Sequence, residues 1–359
     1  MMKSTYRSQH GLTILEVLVV LLVLVMLTGL ALPAITATTC DELKNVSIRN
    51  LQSLHFAHTL YALDWNDRQV TWARDDLGAF DGDVQAYNRA HGCKDPFDPG
   101  CQPPVVAGVD CGGTLQAFDF PQGAWAVQPI NFPGPPNQSQ SVAGLGSFRV
   151  PNARPFHEYV NGRFFDPTFY APKDAPVFEQ VLPLFEQDCE FVAEGADLVL
   201  SSSYVLSPAA MFHPSVLSLD PGTGLFWRAP WEFAQGYESP SVSQARYPDR
   251  KSRMIEHNWL QNPAEPCNPS FAGCVPYFFN HSSFSVPMTL FYDGHVNGLS
   301  PSEAIRSEHR VFAQTGNRLW TRDTPFGANG YFVENAYDFA QTSFHILTID
   351  GILGRDTLE

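Results

Sequence analysis

The chain has 359 residues, 44% of them hydrophobic and 13% aromatic, enough apolar material for one large domain or two ordinary ones. Its formal net charge of −15, with no basic cluster beyond the first few residues, makes nucleic acid and anionic lipid headgroups poor partner candidates. Only 16% of residues are charged, and 29 prolines with 26 glycines imply much loop and turn, which favours a strand-containing fold over an all-helical one.

Residues 12–35 form an apolar run broken only by Glu16 and the mildly polar Thr13 and Thr28. As a helix the run would be about 36 Å long, enough to cross a bilayer. Lys3 and Arg7 precede it, whereas Asp41 and Glu42 follow. The positive-inside bias therefore predicts a cytoplasmic N-terminus, a single pass through the inner membrane and a periplasmic or extracellular remainder. A carboxylate inside hydrocarbon is costly, so Glu16 demands a functional explanation. The small residue Gly11 stands before the run, at its cytoplasmic end, whereas an ordinary secretory signal carries its cleavage site after the apolar core.

"GLTILEVLVV", from Gly11 to Val20, resembles the type IV prepilin signature, usually G-F-T-L-I-E, with Leu12 in place of phenylalanine. The resemblance implies cleavage between Gly11 and Leu12 by a prepilin peptidase, which also methylates the new N-terminus. It makes residues 1–11 a removed leader and Glu16 the fifth mature residue. There its carboxylate would neutralise the N-terminal ammonium of a neighbouring subunit, a buried pair that sets register. Pro33 falls where the family often has a proline, with Gly29 one turn earlier, so a kinked or locally melted segment is expected between them. Gly29 and Pro33 thus join Glu16 as expected assembly residues.

Beyond Cys40, the apolar positions Leu43, Val46, Leu51, Leu54, Ala57, Leu60 and Tyr61 recur mostly at steps of three or four. They predict an amphipathic helix ending near Leu63, at the "DWND" stop of Asp64–Asp67. Residues 12–65 then form one pilin-like helix, a membrane half (12–35) and an amphipathic half. Asn50, Leu51, Tyr61, Asp64 and Arg68 resemble the corresponding helix of prepilin-like proteins abundant in planctomycetes. The expected fold class is α+β, with that helix packed on a large β-rich globular head of residues 66–359, one domain carrying Pro/Gly-rich loops, with two lobes as the alternative.

Within the head, "PVFEQVLPLFEQ" predicts a short helix, while "ADLVLSSSYVLS" and "FHILTIDGILG" predict strands. "RMIEHNW" reads as a strand with Glu256 and His257 on opposite faces. Cys93, Cys101, Cys111, Cys189, Cys267 and Cys274 are an even set suited to disulfides in an oxidising compartment. Six cysteines allow 15 complete pairings. Cys93/Cys101 and Cys267/Cys274 could each staple a short loop, and the lack of any C-x-x-C pair argues against zinc.

Phe284, Val286, Met288, Leu290 and Tyr292 alternate before Asp293-Gly294 and "HVNGL", which predicts a hairpin closed by a two-residue Asp-Gly turn with φ > 0 at both positions. The stretch resembles the H-x9-D-G element of the same planctomycete-type family, although eleven residues rather than nine separate His281 from Asp293. His281, Asp293 and His295 have metal-ligand chemistry, but the turn already explains Asp293 and Gly294, and a structural hairpin outweighs a metal site. No cofactor is expected. Calcium is the one ion the resemblance names, because some related pseudopilins bind it in C-terminal loops.

"SSSYVLS" lacks a nucleophile elbow, "TPFGANGYF" lacks a phosphate-binding lysine, and His213, His257, His309 and His345 are scattered singly. The expectation is a non-enzymatic structural subunit, of minor or pseudopilin type, in a type IV pilus or type II secretion filament. Its expected partners are the prepilin peptidase, other pilin or pseudopilin subunits and an inner-membrane assembly platform. The alternatives are an anchored binding or adhesion protein and, behind it, an anchored metal-dependent enzyme.

Overall fold

A computed structural model describes residues 14–70, 105–118, 147–192, 202–257, 267–268, 275–276, 285–323 and 343–358, with a few single positions besides; residues 229, 231, 232, 234 and 237 are excepted. The chain divides into two units, residues 1–45 and 46–359.

The first unit contributes helical backbone from Ile14 onward, the beginning of helix α1 (Ile14–Asp64). Leu18, Val19 and Leu21 are exposed there. The backbone is helical across Gly29 and Pro33, without the melted turn expected between them.

In the second unit, α1 buries Ser47, Leu51, Leu54, Ala57, His58 and Tyr61. These positions recur every three or four residues and lie on one face. Val46 and Leu60, expected on that face, are half-buried. The helix stops because Asn66 and Asp67 take left-handed φ values of 52° and 66°, with the Asp67 amide returning to the Ala62 carbonyl at 2.6 Å. Asn and Asp tolerate that conformation better than other side chains.

Strands β1 (Val105–Val109) and β2 (Leu115–Phe118) form an antiparallel ribbon. Two short helices follow, α2 (Arg154–His157) and α3 (Ala175–Val181), the latter continued by a 3-10 turn at Leu182–Leu184. "PVFEQVLPLFEQ" is thus helical as its sequence predicts. A disulfide between Cys111 and Cys189, with Cα atoms 5.0 Å apart, ties the ribbon's turn to the segment after α3. Cys93, Cys101 and Cys274 lie outside the described residues.

The main sheet comprises β3 (Tyr204–Leu206), β4 (Ser252–Glu256), β7 (Met288–Phe291) and β8 (Val296–Gly298), in the order β3-β4-β7-β8 and antiparallel throughout. Strands β5 (Cys267–Asn268) and β6 (Val275–Pro276) form a separate minimal ribbon. The central strands β4 and β7 are buried along their whole length, so β7 does not follow the half-buried alternation read from its sequence. Between α1 and α2 the core is aromatic: His58 lies 4.3 Å from Phe156 between ring centroids, and Tyr61 meets Tyr159 edge-on at 5.4 Å.

Helix α4 (Pro301–Thr315) starts where the Ser300 hydroxyl accepts the Glu303 amide at 3.1 Å, with Pro301 in its first turn. It ends at Gly316, whose φ of 72° supplies the left-handed cap. "FHILTIDGILG" is not a strand. His345, Asp350 and Gly351 take positive φ (67°, 61° and 58°), which breaks an extended chain into turns and a 3-10 segment at Gly351–Leu353. Its strand-like pairing is a single bridge between Trp320 and Thr348.

Candidate functional site

The β7–β8 hairpin forms as the sequence predicts, but its turn differs. The Phe291 amide donates to the His295 carbonyl at 3.0 Å, and the Gly294 amide to the Phe291 carbonyl at 3.1 Å. The loop is therefore three residues, Tyr292-Asp293-Gly294, and only Gly294 has positive φ (91°). This is a type I turn followed by a left-handed glycine, the usual three-residue hairpin, rather than a two-residue Asp-Gly turn.

Asp293 and His295 meet at this turn. Asp293 Oδ1 accepts the His295 amide at 3.1 Å and contacts Nδ1 of its ring at 2.6 Å, while the ring stacks on Phe291 with centroids 4.4 Å apart. Gly294 lies against α1: a Cβ there would fall 2.6 Å from His55 Nε2. The hairpin tip thus abuts the helix. Among the described residues no group of three or more His, Cys, Asp or Glu side chains could hold a metal ion; His281 lies outside them.

A second cluster was missed by sequence reading. Lys251 and Asp356 are both fully buried, with Nζ 2.9 Å from Oδ2. Lys251 also donates to Ser207 Oγ (2.8 Å) and Thr348 Oγ1 (2.9 Å). Asp356 accepts the amides of Ser252 (3.0 Å) and His345 (2.9 Å) and the hydroxyls of Ser252 and Thr348. Burial pushes the Asp356 carboxyl up, but Lys251, His345 and the two hydroxyls outweigh it and hold it down at about 2. Burial, reinforced by the Lys251 charge, lowers His345 to about 3.

Ser252 Oγ touches both Asp356 and His345 Nδ1 (2.7 Å), so serine, histidine and aspartate meet here. The arrangement is not a hydrolytic relay. In such a relay the histidine bridges serine and aspartate, whereas here the serine contacts the carboxylate directly and all three are buried. The cluster instead fastens the C-terminal segment to β4. No sequence motif marks it, because its members, residues 207, 251, 252, 345, 348 and 356, come from separate segments of the chain.

The prepilin-like residues are placed unevenly. Gly11 and Leu12 lie outside the described residues. Glu16, Gly29 and Pro33 sit on the helical backbone of α1, their side chains not among those described. Among the described residues no helix is long and apolar enough to cross a membrane. Most side chains of the 12–35 run fall outside that description. Asn50, Leu51, Tyr61 and Arg68 in the second unit have clear roles. Asn50 donates to the Pro167 and Tyr170 carbonyls at 3.2 and 3.1 Å, Leu51 is in the core, and Tyr61 stacks with Trp65 at 5.6 Å. Arg68 pairs with Glu238 at 3.0 Å and donates to the Ser239 carbonyl. Comparison with protein-family models, curated proteins and solved structures finds no match to this chain.

Proposed function

We propose that the chain is a structural subunit, of minor or pseudopilin type, of a type IV pilus or type II secretion-like filament, matured by a prepilin peptidase. The carrying observation is the register of Gly11, Leu12 and Glu16 at the head of an apolar run, which a plain anchor does not require. In this reading residues 12–65 are one pilin-like helix that spans the inner membrane with its first half and holds the head outside the cytoplasm with its second.

The helix in the second unit supports the reading. One face is buried in the head, whereas Phe56 (63% exposed) and Leu63 (74%) leave large apolar groups on the opposite face. They lie seven residues apart, hence on one stripe. A helix with two apolar faces has use for a second partner, and in a filament that partner is a neighbouring subunit. The size of the head favours a second reading, a tip or minor subunit that binds a surface or secreted substrate, since bulk limits dense packing along a fibre.

Mass spectrometry of the native membrane fraction tests the proposal. A chain beginning at Leu12 with one added methyl group is expected; an exported, folded chain that retains Met1–Gly11 overturns it. Glu16→Ala is expected to insert into the membrane and yet fail to enter filaments. Incorporation at the wild-type level would leave Glu16 without the role assigned to it.

A further inference from the structure

Ser47 and Asn50, nearly one turn apart on α1, direct polar groups into the protein. Ser47 Oγ bonds the Tyr204 hydroxyl at 2.9 Å and donates to Glu256 Oε1. Glu256 Oε2 accepts the Met288 amide (2.9 Å) and the Asn280 side-chain amide (3.3 Å). Next to this group Asp174, which precedes α3, accepts the Ser203 hydroxyl on Oδ2 at 2.8 Å, while its Oδ1 is buried with no hydrogen-bond partner. Asp174 is 1% exposed and Glu256 2%.

Neither carboxylate makes a salt bridge among the described residues, although buried charges ordinarily need a partner. Among the described residues, the titratable groups that act on the pair are Tyr204 from β3, which burial keeps neutral, and Lys173, which acts on Glu256 through space. His257, next along the chain from Glu256, is held neutral by burial and by Arg149. Two buried carboxylates with no paired cation among the described residues make an arrangement that a bound proton relieves.

We propose that Asp174 and Glu256 form a proton-binding clamp that seats the second half of α1 on the head, tight while the pair holds a proton and loosened when both are charged. Burial, with Glu256 adding to it, raises Asp174 from 3.8 to about 7, and burial raises Glu256 as well. A carboxyl raised on folding contributes stability that is fully present below its unfolded pKa and is lost as pH rises through its folded value. For Asp174 that window runs from about 4 to about 7 and levels off above it. The proton falls to Asp174, because Glu256 keeps three donors that favour its charged form. On its loss, the repelling carboxylates disrupt the Ser47–Tyr204–Glu256 contact that joins helix to sheet. This device does not depend on the filament reading.

The test uses the full chain in detergent micelles. Infrared difference spectra are expected to show a protonated buried carboxyl at pH 6 that disappears by pH 8.5 and is missing in Asp174→Asn. Amide exchange over residues 47–58, corrected for its intrinsic pH dependence, is expected to open about tenfold more at pH 8 than at pH 6 and to stay level in that variant. Glu256→Gln, which removes the neighbouring charge, is expected to move the carboxyl midpoint down. Absence of a protonated carboxyl at pH 6 in the wild type overturns the proposal, whether or not the variants fold. An exchange rise in Asp174→Asn equal to that of the wild type overturns it as well.

Discussion

Gly294 shows how a single position serves two constraints. Its φ of 91° suits only glycine, and any Cβ would collide with His55 on α1. Gly294→Ala is therefore expected to cost about 1–3 kcal/mol, read as a lowered denaturant midpoint. The second residue-scale prediction concerns Lys251, whose removal leaves Asp356 charged and without its cation in the interior. Lys251→Met is expected to cost about 3–5 kcal/mol in the same measurement. The glycine was legible from the Asp-Gly dipeptide, although its turn type was not: the loop borrows Tyr292 and leaves Asp293 in an ordinary conformation. Lys251 and Asp356 were not legible at all. A lysine after "PDR" and an aspartate near the C-terminus look like surface charges until the chain brings them to 2.9 Å.

At the scale of elements, periodicity read well where it was long. Leu51, Leu54, Ala57 and Tyr61 face the core as their spacing requires. Leu54→Ala is expected to destabilise the chain by about 2–5 kcal/mol, measured by chemical unfolding, through lost burial plus a cavity in the hydrophobic core. Short apolar runs read poorly. "FHILTIDGILG" reads as a strand because periodicity alone does not separate a short apolar run in a strand from other buried segments. Helix α4 was overlooked, although Ser300, Pro301, Glu303 and Gly316 mark both its ends; its sparse apolar face hid it. The Cys111–Cys189 bond joins residues 78 apart in sequence, and no spacing rule selects that pairing from the alternatives.

For the molecule as a whole, the buried ionisable groups set its response to acid. Burial lowers His58, His157, His257 and His345, so the folded chain resists protons that the unfolded chain accepts. Histidines of this kind contribute stability above about pH 6.5 that is lost as pH falls. Asp174 and Glu256 act in the opposite sense but are outnumbered. The thermal midpoint of the full chain is accordingly expected to fall from pH 7 to pH 5, and to fall more steeply in Asp174→Asn, as a calorimetric pH series would record. A midpoint higher at pH 5 would mean that these histidines titrate normally in the folded chain.

The sequence alone determined the features that local physics controls: an apolar run with a carboxylate and a preceding glycine, a 3.6-residue stripe up to the DWND stop, the short helix with Pro176 in its first turn, and a hairpin turning at Asp293-Gly294. Each depends on neighbours within a few residues, so periodicity and turn chemistry reveal it. Tertiary structure decided which cysteines join, that β4 and β7 are buried on both faces, and that Lys251 meets Asp356 while Ser47 meets Glu256. These are contacts between segments tens to hundreds of residues apart. They form because buried polar groups must find partners wherever the folded chain supplies them, and no local pattern specifies which.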